Sequence, residues 1–161
     1  MKHTLGDLPR QLRAEEVYRS DACASVTSLA EAIRHVERVR DLSIRTRPLR
    51  ALGDTSVCGL LLVEGQRCTI FHAPASSAIH RLQCLLHELG HLLLRHDLST
   101  QSAPTLNRFL PDVRLEVGDR LFGRADLSDG DEIEAERLAD LLAAGIRRRP
   151  QHPIGLEEFL G

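Results

Sequence analysis

No apolar run in this chain approaches the roughly 20 residues that a membrane span needs. Met1 to Arg10 carries no apolar h-region of the kind found in a secretory signal. A cytoplasmic protein without a membrane partner is the expectation. Lysine is almost missing: Lys2 is the only one, the other basic residues are arginines, and the net charge is −2. With no basic excess, direct binding to nucleic acid is not expected. The four cysteines, Cys23, Cys58, Cys68 and Cys84, include no C-x-x-C pair, which excludes a zinc ribbon and a dithiol redox motif. There is no internal repeat or low-complexity tract. At 161 residues, one domain spanning 1–161 has enough chain to bury a core without staples.

The chain does contain His87-Glu88-Leu89-Gly90-His91, an H-E-x-x-H pattern within its most apolar helical stretch. Residues four apart on a helix differ by about 40° in rotation and about 6 Å along the axis, so His87 and His91 can aim at one metal ion. Glu88 stands where a general base can reach a water activated on that metal without being a ligand itself. Leu82, Leu85, Leu86, Leu89, Leu92 and Leu93 recur at helical spacing around the motif, and Ser76 and Ser77 are N-cap candidates. Two imidazoles and a carboxylate are thereby carried towards a core, where a metal is the partner that uses all three. Cys84 shares a stripe with His80, Gln83, His87 and His91 and is a candidate neighbour of the metal.

Around this segment the periodicity predicts a helix over 8–19 and a second one to Arg40, started by a Ser28/Glu31 capping box. Alternation over 41–47 predicts a strand stopped at Pro48. Val57 to Val63, a turn at Glu64-Gly65-Gln66, and Arg67 to Ala73 form a hairpin in which Cys58 and Cys68 do not face each other, so free thiols are expected. The motif helix should fray after Arg95. Residues 98–130, with several prolines and glycines and no sustained period, read as a long loop, a wall or lid for the site. A last helix runs from about Asp131 to Arg147. The fold class is α+β: N-terminal helices and a first strand in 1–50, then a core in 57–145 with a short, mainly antiparallel three-stranded sheet, the motif helix and a Glu-bearing helix.

A catalytic zinc takes three protein ligands and leaves one position open. His96 does not fit the H-E-x-x-H-x-x-G-x-x-H arrangement, because Leu94 stands at the glycine position and the histidine comes one residue early. In the last helix, Glu134 shares a face with Leu138, Leu141 and Leu142, whereas Glu132, Glu136 and Asp140 share another. Glu134 is therefore the expected third ligand, with Glu132 as the alternative. Tyr18, His72, His80 and His96 are the side chains available to steady an oxyanion.

His87-Glu88-Leu89-Gly90-His91 followed by Leu92-Leu93-Leu94 and His96, and later Glu132, Glu134-Ala135, Ala139 and Leu141-Leu142, resembles the ImmA/IrrE metallopeptidase family, over residues from about 57 to 145. Cys58-Gly59-Leu60-Leu61 and its hairpin resemble small actinobacterial members, which are often encoded beside helix-turn-helix regulators. The resemblance implies a zincin-like, gluzincin-type domain holding one Zn2+ on His87, His91 and Glu134, with Glu88 as the base. It also implies a protein substrate or partner, a helix-turn-helix transcriptional repressor or antitoxin-like regulator. Glu136 stands where many members have Asn, and Ala143-Ala144 where they have Met-Pro. The rival readings are a non-proteolytic zinc-containing protein that binds and inactivates such a regulator, and a hydrolase of a non-peptide amide.

Overall fold

The computed structural model describes residues 8–52, 59–74, 77–99, 109–123 and 127–148. Helix α1 spans Leu8–Ser20 and α2 Leu29–Arg40; strand β1 is Ser43–Pro48, β2 Gly59–Glu64 and β3 Arg67–His72. Helix α3 covers Ala78–Leu93, the single turn α4 His96–Ser99, strand β4 Arg120–Gly123 and helix α5 Asp129–Arg148. Among the described residues no helix is long and apolar enough to cross a membrane.

Local chemistry sets the helix ends. Ser28 accepts from Glu31 N at 3.2 Å to cap α2, while Glu31 reaches back to Thr27 N at 2.7 Å, one residue earlier than a standard capping box. Ser77 accepts from His80 N at 3.1 Å and starts α3. The last carbonyls of α3 are satisfied from outside: Arg40 donates to Leu92 O and Arg13 to Leu94 O, each a cation at the negative end of the helix.

The sheet corrects one expectation, the number of strands. Among the described residues it has four strands, not three, in the order β1-β3-β2-β4. As expected it is mainly antiparallel, β2 running antiparallel to both β3 and β4, while β1 adds one parallel pairing to β3. The hairpin turns through Gly65 at φ 60°, which places Gly59 opposite His72 and Val63 opposite Cys68. Cys58 lies outside the described residues.

Alternation along β2 explains its unbroken apolar run. Leu61 and Val63 join the main core with α1, α2, α3 and α5, whereas Leu60 and Leu62 face a second cluster with Phe71, Phe109, Leu110 and Leu121. A strand buried on both faces has no reason to alternate. The described part of 98–130 is thus not simply a loop: it supplies the edge strand β4 and the apolar cover of the outer sheet face. Helix α5 packs on the inner side against both α1 and α3. Gly90 allows the approach to α3, since a Cβ there would meet Ala135 O at 3.0 Å.

Candidate metal centre

The α3 register delivers His87 and His91 to one point. Their rings meet edge to face with centroids 4.7 Å apart, and their Nε2 atoms are 3.1 Å apart. The third group is Glu132 on α5, with Oε2 3.1 Å from His87 Nε2 and Oε1 3.3 Å from His91 Nε2. These spacings match the edge of a zinc coordination tetrahedron, about 3.3–3.4 Å for ligand bonds of about 2.0–2.1 Å. Glu132 Oε1 is buried and, among the described residues, has no hydrogen-bond partner. A buried carboxylate oxygen left without a donor, beside two imidazole nitrogens, is satisfied by a cation. The donor set, two His and one carboxylate, suits zinc.

Glu134, the expected third ligand, is not brought to this point. It lies at 0% exposure on another side of α5, accepting from Arg10 Nη1 at 3.0 Å and Arg13 Nη1 at 2.7 Å, with His96 Nε2 at 2.8 Å. The apolar face of α5 is shared between two neighbours. Its inward acid meets the arginines of α1, while the polar stripe of Glu132, Glu136 and Asp140 meets α3: Glu132 and Glu136 line a cavity, and Asp140 accepts from Gln83. The Arg10/Arg13 pair, three apart on α1, was the available sign that a buried acid elsewhere would be claimed.

The cavity has a volume of about 380 Å³ and is walled by His87, Glu88, His91, Glu132, Gly59 and His80, among others. Glu88 is buried at 5% exposure. Its carboxylate fills the space over Gly59, where a Cβ would lie 2.5 Å from Oε1, so the first residue of β2 shapes the seat of the base. Sequence reasoning did not assign Gly59 this role.

Electrostatics favour ligand-ready forms. Burial lowers the His91 imidazole below its ordinary value of 6.5, outweighing the nearby Glu132 carboxylate that raises it. Burial pushes the Glu132 carboxyl up, but its hydrogen bond with His87 and the closeness of the His91 imidazole win and hold it at about 2.

Of the other named side chains, His80 sits on the cavity wall with Nε2 3.6 Å from Cys84 Sγ, so both border the cavity, although neither belongs to the converging trio. His96 stands behind His91, Nδ1 to Nδ1 at 2.9 Å. His72, at the end of β3, has Nδ1 3.3 Å from Ala73 O, and the Tyr18 hydroxyl lies against Gly145 towards the far end of α5. Comparison with family models, curated proteins and solved structures returned no match.

Proposed function

We propose that this chain is a zinc-dependent metallopeptidase whose metal is held by His87, His91 and Glu132. The observation that carries the reading is the convergence of those three side chains, with mutual spacings of 3.1 to 3.3 Å, in the cavity that also holds Glu88. Bound there, zinc would act as a Lewis acid on a carbonyl and acidify a water molecule. Glu88 takes a proton from the attacking water and returns it to the departing amine. Gly59 leaves its carboxylate room to stand in the cavity. The resemblance of the motif region supplies the substrate class, a bacterial transcriptional repressor or antitoxin-like regulator, probed first with a mixed peptide library.

Zinc content is measured on the purified protein, and library cleavage is read by mass spectrometry. Wild type and Glu88→Gln should both hold one zinc per chain, and only wild type should cut. His87→Ala and Glu132→Ala should lose zinc. Equal cleavage by Glu88→Gln would remove the base assignment, and full zinc in Glu132→Ala would move the third ligand elsewhere.

A further inference from the structure

On the side of His91 away from the cavity, a chain of polar groups has no part in the chemistry above. His91 Nδ1 is 2.9 Å from His96 Nδ1, and His96 Nε2 is 2.8 Å from Glu134 Oε2. Both histidines are 2% exposed and Glu134 is 0% exposed, so their polar atoms need partners within the protein. Arg10 and Arg13 close the far end on the two oxygens of Glu134.

The direction of each bond follows from which groups have a proton to give. A neutral imidazole donates through one nitrogen and accepts through the other, whereas a carboxylate only accepts. His96 Nε2 faces Glu134 at 2.8 Å and Asp131 Oδ1 at 3.6 Å. In the neutral ring this nitrogen carries the proton, because the reverse tautomer would set a lone pair against two carboxylates. His96 Nδ1 is then an acceptor, and His91 Nδ1 must donate to it. The proton of His91 is thereby kept off Nε2, which presents a lone pair towards His87 and Glu132.

We infer that Glu134 and His96 are positioning residues that set the tautomer of His91 for binding a divalent metal. Carboxylate-ordered histidines of this kind are a general device for orienting a ligand and raising its basicity. Here the carboxylate acts through a second imidazole. His96, Asp131 and Glu134 also converge closely enough to hold a cation of their own, but Arg10 and Arg13 already bring positive charge to Glu134 and His91 occupies the other nitrogen of His96. The inference rests on the zinc reading above.

The test uses the full chain with 15N-labelled histidine. In zinc-free wild type, long-range 1H–15N spectra should show His91 protonated on Nδ1. Glu134→Gln places an amide that can donate as well as accept, and should admit the Nε2-protonated form. His96→Phe keeps the ring volume and removes the acceptor. Zinc affinity, measured by chelator competition, should fall about 10- to 100-fold in both variants. His91 protonated on Nε2 in zinc-free wild type would overturn the inference without any variant. So would unchanged affinity in folded His96→Phe, or a second zinc in wild type that His96→Phe removes. Failure of wild type to bind zinc would instead remove the zinc reading itself, and the relay's purpose with it.

Discussion

The Glu88 carboxylate packs directly over Gly59, and the clash that any side chain at 59 would create falls on the far end of that flexible side chain. Gly59→Ala should therefore cost little stability and much positioning. The expected outcome is unchanged zinc content with peptide cleavage lowered by about 100-fold, the scale of a 1 Å misplacement. Paired metal analysis and library digestion check it. At this scale the sequence was informative wherever chemistry is local. His87, Glu88 and His91 lie together because the helix period brings them together. The choice between Glu132 and Glu134 was not legible in the same way, since it depends on which side of α5 meets α1, and only tertiary packing puts Arg10 and Arg13 beside one of the two acids.

Helix α3 is anchored at its end by a buried ion pair. Arg40 grips Asp97 through two bonds, at 2.8 and 2.9 Å, and also donates to Leu92 O, with Arg120 adding a contact to Asp97 at 3.3 Å. The side chains of Arg40 and Asp97 are 5% and 0% exposed. Removing one partner strands a buried charge, so Arg40→Ala should lower the unfolding free energy by about 3–5 kcal/mol. Replacing both with apolar residues, Arg40→Met with Asp97→Leu, should be milder than the single change, as read by urea denaturation. Elements with their own caps and period, α2 and α3, were legible to within a residue or two. Strand β4 was not, because four residues carry no period and their partners on β2 lie far away in sequence. The parallel pairing of β1 with β3 escaped for a related reason: neighbours in the sheet are not neighbours in the chain.

Across the whole molecule, buried titratable groups bound the pH range of stability. Burial lowers the imidazoles of His35 and His72 below 6.5, with Arg38 and Arg81 respectively adding to the effect. The unfolded chain binds those protons more readily, so the stability these groups contribute is present above pH 6.5 and lost as pH falls below it. Burial raises the thiols of Cys23 and Cys68 from 9.0 to about 12, helped by Asp21 and by Asp97 respectively. Their contribution is complete below pH 9.0 and is lost as pH climbs towards about 12. Urea titrations should give a plateau between these limits, and replacing both cysteines with alanine should flatten the alkaline fall.

Among the described residues, one outer edge of the sheet belongs to β1. A free edge invites strands from other molecules, and here it presents exposed Arg45 and Arg47 and ends in Pro48, which has no N–H to offer. An incoming copy would bring like charges into register and find the ladder cut short. The parallel strand that closes the sheet on that side therefore also acts as a guard on colloidal behaviour, keeping crowded molecules from joining edge to edge.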